Sequence, residues 1–172
     1  MVTYKEHIVK RKKSGKDILI YIFSPFLCMI AAYIVTFVIL NFLPFLSFLT
    51  LLVWAFAVYA LARIVLDRNI EFEYLLVDSD LDIDKIHNKS RRKRMISLYR
   101  KEIIAIAPFG SANLPHGWSN MEKVDASVSP DSDDTYVIVV KQSDKERAVL
   151  FCPTEEMLEI MDRRNPGKVF KD

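Results

Sequence analysis

The chain has 172 residues, with 24 lysines and arginines against 22 aspartates and glutamates, which leaves a formal net charge of +2. This balance excludes a polycation that binds nucleic acid through its overall charge. The two cysteines, Cys28 and Cys152, fall in segments of different character, so the sequence predicts no disulfide framework.

An uncharged stretch, Ile18–Ala62, dominates the first part of the chain. One membrane crossing takes about 20 apolar residues, so this stretch is long enough for two. Pro44 lies near its middle and lacks the amide hydrogen that a continuing helix needs. The sequence therefore predicts a transmembrane helical hairpin within residues 18–66, with helices over about 18–40 and 45–63.

Pro25 leaves two alternatives for the first of these helices. The helix could begin at Pro25 after a Ser24 cap, with residues 18–23 in the membrane interface. Alternatively, a longer helix could run through Pro25 with a kink. The longer helix is favoured, because the first alternative leaves only a short span.

Basic residues flank both ends of the hairpin, whereas its tip carries no charge. The positive-inside rule then predicts a multi-pass protein of the cell membrane with both termini in the cytoplasm. Residues 1–17 form a basic cytoplasmic segment. This segment is either a disordered flank at the headgroups or, because of Tyr4, His7, Ile8 and Val9, an extra strand of the cytoplasmic domain.

The pattern of residues 67–172 predicts a cytoplasmic β domain closed by a helix. Apolar and polar residues alternate with a period of two, and turn residues separate the alternating runs, which is typical of β-hairpins. The predicted strands are 71–77, 81–84, 93–99, 135–140 and 147–152, with 102–107 either a strand or a helical turn. Thr154 caps a predicted amphipathic helix over about 154–165, which Asn165-Pro166-Gly167 ends.

The segment 108–134 is the least regular part, because prolines, glycines and asparagines interrupt any period. Trp118 and Phe109 are candidates to pin it to the core. Long irregular loops in small domains are often functional. An enzyme using His116, Asp125 or Asp131 in this loop is therefore kept as a less favoured alternative.

The candidate binding site is a run of basic residues, called here the basic turn: Lys89, Arg91, Arg92, Lys93 and Arg94. One interpretation is a solvated hairpin loop. The functional interpretation is docking on anionic lipid headgroups or on a protein partner, since each basic residue near such a surface contributes about 1 kcal/mol. Nucleic acid is not expected as a partner, because no aromatic residues for base stacking are interleaved there.

The sequence gives little support for a calcium site, another metal site or a catalytic site. The run from Asp78 to Asp82 imitates a calcium loop, but Ile83 and Lys89 stand where such a loop needs Gly and Glu. The three histidines lack the spacing of a metal site. No catalytic motif, metal site or cofactor is predicted, and the chain is not expected to be an enzyme.

Several segments resemble a known family. They are Phe72-Glu73-Tyr74, residues 81–86, residues 89–94, residues 153–158 and the tail Pro166–Phe170. They are similar to a family of small two-span membrane proteins from clostridia-like bacteria that carry a cytoplasmic bacterial PH-like domain. The resemblance implies an α+β membrane protein: a two-helix hairpin, then an antiparallel PH-like β barrel or sheet closed by a C-terminal helix. It brings no activity and no catalytic residue.

These observations together predict a membrane-anchored, non-enzymatic binding or scaffold protein. Its expected partners are the lipid bilayer, anionic headgroups, and a protein partner or further copies of the chain. The first alternative is an accessory subunit of a larger membrane complex, because alanines in the second helix would allow close helix packing.

Overall fold

A computed structural model describes residues 4–78, 80–129, 132 and 134–171. The chain divides into two compact units. The helical unit is Lys13–Asn69, and the sheet unit consists of the residues up to Lys12 and from Ile70 onward. The helical unit is therefore an insertion between two segments of the sheet unit.

The helical unit contains two helices, α1 at Gly15–Phe42 and α2 at Leu49–Leu66. Helix α1 runs through Pro25, so the longer of the two predicted alternatives is the one observed. Helix α2 begins at Leu49 rather than near residue 45, because Pro44 starts a short 3-10 turn, Pro44–Leu46. This turn forms the tip of the hairpin.

An ion pair within the helical unit joins the start of α1 to the segment that follows α2. The backbone N–H of Ser14 donates to Asp17 Oδ2 over 3.0 Å. The other oxygen of this buried carboxylate accepts from Arg68 Nη1 over 3.2 Å. A carboxylate is favourable at this place because the N-terminus of a helix carries partial positive charge.

Both helices expose their apolar side chains. None of the residues Leu49–Leu66 is buried, and in Gly15–Phe42 only Asp17, Ser24, Ala32 and Ile39 are. By length and composition, both are long and apolar enough to cross a membrane. A core helix of a soluble protein would have most of its apolar residues buried instead.

The sheet unit contains a first sheet of four antiparallel strands in the order β1-β2-β3-β4. These strands are β1 Tyr4–Lys10, β2 Ile70–Val77, β3 Asp80–His87 and β4 Arg91–Leu98. Of the two alternatives for the N-terminal segment, the structure has the strand, which pairs along its whole length with β2. Ser79, between β2 and β3 in the sequence, lies outside the described residues.

A second sheet has the order β5-β7-β8-β6. Its strands are β5 Ile103–Pro108, β6 Glu122–Asp125, β7 Tyr136–Gln142 and β8 Lys145–Phe151. The apolar run before Pro108 is thus a strand rather than a helical turn. Strand β6 lies inside the segment predicted to be irregular and pairs in parallel with β8.

The main core lies between the two sheets and a C-terminal helix, α3, at Glu155–Arg164. Thr154 caps α3, since its hydroxyl oxygen accepts from the backbone N–H of Met157 over 3.3 Å. The helix buries Met157, Leu158, Ile160 and Met161, as its apolar pattern predicted. After α3, the tail pairs with β5: Ile106 N–H donates to Lys168 O over 2.7 Å, and Phe170 N–H donates to Ile106 O over 2.8 Å.

Tyr74 joins the two sheets across this core. Its hydroxyl donates to Ala126 O over 2.5 Å and accepts from Cys152 N–H over 3.2 Å. Burial raises the pKa of Tyr74, so it stays neutral and can donate.

The prediction of a barrel is wrong in one respect, because the sheet does not close. Among the described strands, β4 and β5 share no ladder; a 3-10 turn, Arg100–Glu102, separates them and the chain changes sheet there. Two packed sheets with a C-terminal helix remain, which is consistent with a PH-like fold.

Candidate anion-binding surface

The turn between β3 and β4 presents the first residue of the basic turn. His87 pairs with Arg91, so residues 88–90 form the connection. Asn88 and Lys89 take left-handed backbone conformations, with φ of 48° and 54°. This conformation suits Asn but is unfavourable for Lys, and it leaves the Lys89 side chain exposed.

Arg92 has a structural partner. Its Nη2 donates to Glu73 Oε1 over 2.8 Å, and only 1% of Glu73 is exposed. Burial raises the pKa of Glu73, the neighbouring carboxylate of Glu6 adds to this shift, and the charge of Arg92 opposes it. Arg92 therefore stabilises the ionised form of a carboxylate that has little contact with water.

Arg94 is held in the same way by two carboxylates on β3. Its Nε donates to Asp84, which is buried, and its Nη1 lies 2.7 Å from Asp82 Oδ2. The hydrogen bond to Asp84 raises the pKa of Arg94. Both arginines thus lie on the outer face of the first sheet, where their charges are neutralised within the sheet unit.

The remaining members of the basic turn are Lys89, which lies in the β3–β4 connection, and Arg91 and Lys93, which lie on the other face of β4. Side chains alternate along a strand, so Arg91 and Lys93 lie on the face opposite to Arg92 and Arg94. Lys89, Arg91 and Lys93 are exposed and form no ion pair with the described residues. The structure therefore divides the five predicted residues into two with bound carboxylates and three available to a ligand.

Two further cations lie on this face, Lys85 beside Lys93 and Arg11 near Lys85, and the sequence prediction missed both as site residues. Lys85 is directly opposite Lys93 in the register of β3 and β4. Lys85 is half-buried, and its pKa is lowered, first by burial and then by the charges of Arg11 and Lys93. Arg11 N–H donates to Ile70 O over 3.0 Å, which extends the β1–β2 pairing by one residue. We call Arg11, Lys85 and Lys93 the cation cluster.

The part of the predicted irregular segment between Leu114 and Met121 packs on the outer face of the second sheet. Leu114 is buried there, and Trp118 and Met121 pack against the same cluster of apolar residues. Phe109 meets Trp118 edge to face with ring centroids 5.5 Å apart. The prediction that Trp118 pins part of this segment is confirmed, whereas Phe109 is exposed and contacts Trp118 instead of the buried cluster.

The two described residues of the enzyme alternative, His116 and Asp125, form no contact with each other that the structure records. His116 is exposed, while Asp125 Oδ1 accepts from the backbone N–H and the hydroxyl of Ser127 over 3.0 and 2.7 Å. Asp131 lies outside the described residues. No hydrogen bond or ion pair joins His116 to Asp125 in the part of the chain that the structure describes, and no group of three or more potential metal ligands occurs there.

A surface cleft of about 700 Å³ lies elsewhere in the sheet unit. Its lining comes from the start of β3, the segment after β4 and the segment after α3. Asp80, Arg100 and Lys101 line it, and the carboxylate of Asp80 accepts from the backbone N–H of Arg100 over 2.9 Å.

The comparisons with known proteins bear on the whole chain. Residues 1–171 match the family described as bacterial PH-like domain (DUF6106). The match includes the helical unit as well as both sheets. No curated protein and no solved structure matches the chain significantly. The chain belongs to the bacterial PH-like domain family DUF6106.

Proposed function

We propose that the protein is a membrane-anchored, non-enzymatic binding or scaffold protein whose PH-like sheet unit acts at the cytoplasmic surface of the membrane. The observation that carries this proposal is the exposure of apolar side chains on both helices, with no residue of α2 buried. Apolar surface of this extent is unfavourable in water and is stable when lipid covers it.

The distribution of charge supports the proposed orientation. The tip of the hairpin, residues 43–48, carries no charge, whereas basic residues lie before α1 and after α2. Segments rich in Lys and Arg stay on the cytoplasmic side during insertion. Both termini and the sheet unit would then be cytoplasmic.

The chain connections support a role at the membrane surface. Only residues 11–14 link β1 to α1, and only residues 67–69 link α2 to β2. Because an extended chain spans at most about 3.6 Å per residue, the end of the first sheet at Arg11 and Ile70 stays near the headgroups of a membrane that holds the helices. The β3–β4 turn lies at this same end, since His87 pairs with Ile70.

The proposed partners are therefore anionic headgroups, which Lys89, Arg91 and Lys93 would contact. Each contributes about 1 kcal/mol near an anionic surface. We expect hydrogen exchange in residues 88–91 of the full chain to slow when neutral nanodiscs are replaced by nanodiscs containing phosphatidylglycerol. The triple variant K89E/R91E/K93E should lose this protection, and the control K145E, at the exposed first residue of β8, should keep it.

Membrane anchoring is tested by placing a charge at the middle of α2. Val58 is exposed and lies near the centre of the helix. In a bilayer, V58K should cost about 2.5–3.5 kcal/mol and shift the protein out of the carbonate-resistant membrane fraction. L66K, at the end of the helix, is the matched control and should remain in that fraction. An unchanged distribution of V58K would contradict the proposal.

A second candidate is an accessory subunit of a membrane complex. An apolar groove in the helical unit favours it, because small side chains on both helices would let another helix approach closely. The groove is lined by Cys28, Ala31, Ala32, Val35, Val53, Phe56, Ala57 and Ala60. If this candidate holds, A57L should abolish co-purification of a stoichiometric membrane partner after mild crosslinking, while V58L should not.

A further inference from the structure

The opposition of Lys85 and Lys93 is unfavourable for the isolated sheet unit. Residues directly opposite on neighbouring strands have Cβ atoms about 4.5–5.5 Å apart, and like charges there destabilise the pair. No carboxylate of the described residues forms an ion pair with either lysine. On the opposite face of the same sheet, Arg92 and Arg94 of β4 are matched with carboxylates, so the lack of a match is confined to the face of Lys85 and Lys93.

Packing does not explain why a lysine stands at position 85, opposite Lys93. Strand β3 lies between β2 and β4, and Lys85 follows Leu81 and Ile83 on the face that forms the main core. Its neighbour on β2 is Phe72, which is buried. Alternation along β3 therefore favours an apolar residue at position 85, and a half-buried lysine stands there instead.

Arg11 completes the cluster from the end of β1, the edge strand on the far side of β2 from Lys85. Val9 faces the core, so Arg11, two residues later, lies on the same face as Lys85 and Lys93. The nearby carboxylates on β2, Glu71 and Glu73, alternate to the opposite face. Three cations thus lie on one face at one end of the sheet, and none of them forms an ion pair with a carboxylate of the described residues.

We infer that Arg11, Lys85 and Lys93 form a binding site for a phosphomonoester group. This inference rests on the proposed binding role of the sheet unit and names the ligand class. A phosphomonoester carries close to two negative charges at neutral pH and offers three acceptor oxygens. Two lysines supply point charges and the arginine a fork of donors, which together suit a phosphate better than a singly charged carboxylate.

The partial burial of Lys85 adds to the expected affinity. A charge pair in a partly desolvated place is screened less by salt than one on an open surface. The lowered pKa of Lys85 is consistent with a cation that lacks its counter-ion, and bound phosphate would raise it again.

The test uses the full chain in neutral phosphatidylcholine nanodiscs, with thermal unfolding and calorimetric titration as readouts. The soluble probe is glycerol 3-phosphate. The lipid probes are nanodiscs containing phosphatidic acid, a phosphomonoester, or phosphatidylglycerol, a phosphodiester of lower charge. We expect glycerol 3-phosphate or phosphatidic acid to raise the midpoint of unfolding more than phosphatidylglycerol. Which of the two is effective tells whether the phosphate comes from solution or from lipid.

The variant K85M separates a binding role from a structural one. Removing the like-charge opposition should raise the midpoint without ligand, while binding of the phosphomonoester weakens by at least about tenfold. K93Q should weaken binding similarly, and K145Q should leave it unchanged. A K85M chain that binds like the unmodified chain, or equal responses to phosphatidic acid and phosphatidylglycerol with none to glycerol 3-phosphate, would overturn the inference. Neither result affects the anchoring test with V58K, so failure of the two claims is distinguishable.

Discussion

Arg92 Nη2 lies 2.8 Å from Oε1 of Glu73, and Glu73 is almost completely withdrawn from water on the outer face of the first sheet. The second oxygen of Glu73 has no hydrogen-bond partner among the described residues. A buried carboxylate of this kind is tolerated only when a positive charge or a proton compensates it. Arg92 is therefore a stabilising residue first, although it belongs to the basic turn.

The substitution R92Q should lower the free energy of unfolding by about 1–3 kcal/mol at neutral pH, because it leaves the charge of Glu73 uncompensated. R91Q, one residue earlier on the same strand, should change it by less than about 0.5 kcal/mol, since Arg91 has no ion-pair partner in the described chain. Denaturant unfolding of the two purified variants makes the comparison. Equal effects would show that the Arg92–Glu73 contact contributes nothing.

Glu73 should also give stability a defined pH dependence. Because burial raises its pKa in the folded chain, the folded state binds this proton more tightly than the unfolded state does. Its contribution to the free energy of unfolding therefore falls as pH rises through the window between the ordinary glutamate pKa and the raised folded value. E73Q should remove this decline, and the E73Q/R92Q double variant should be more stable than R92Q alone. Unfolding curves across this pH range test both expectations.

Because β1 pairs with β2, we expect the sheet unit to fold on its own only when β1 is included. A chain that begins at Ile70 lacks β1 and leaves the edge of β2 unpaired, so we expect it to aggregate or to unfold without cooperativity. Replacing Lys13–Asn69 by a four-residue Gly-Ser linker should instead give a cooperatively folding, soluble unit, because Arg11 N–H and Ile70 O are already hydrogen-bonded. Circular dichroism and hydrogen exchange distinguish the two, and equal stability would contradict the observed pairing.

Lys89 is expected to lower the free energy of unfolding while presenting its charge at the surface. Its φ of 54° is readily adopted by glycine and is strained for lysine. K89G should therefore raise the free energy of unfolding by about 0.5–1 kcal/mol and weaken association with anionic nanodiscs. S90G lacks this benefit, because Ser90 has no left-handed conformation, and should not stabilise the chain. Thermal unfolding and flotation measure the two properties on the same samples.

The helices, most strands and the capped C-terminal helix could be predicted from the sequence because their patterns are local. An uncharged stretch, a period of two, and a Thr cap followed by glutamates each lie within one element. Strand β6 could not be predicted, since Glu122–Asp125 has no apolar run and acquires its strand character by pairing with β8, more than twenty residues later. The absence of barrel closure likewise depends on how β4 and β5 separate.

The basic turn was predicted as one group because its members are adjacent in the sequence. Alternation along β4 divides it between two faces, but which residues share the core face depends on the β3–β4 register, which shifts between Ile83 and Asp84. That irregularity places Lys85 opposite Lys93 and Arg94 opposite Asp84. No local signal reports such a shift, and Arg11 comes from a segment separated from β3 by the whole helical unit. The cation cluster was accessible only through the fold.

In the proposed topology the hairpin crosses the membrane and the sheet unit lies on the cytoplasmic side. Labelling with a membrane-impermeant maleimide in a C28A background distinguishes the two sides, with S47C at the hairpin tip and S143C in the exposed β7–β8 turn. We expect S47C to react in intact cells and S143C to react only after permeabilisation, with the parent C28A chain as the control for buried Cys152. Labelling of S143C in intact cells, or recovery of the protein in the soluble fraction, would contradict this topology.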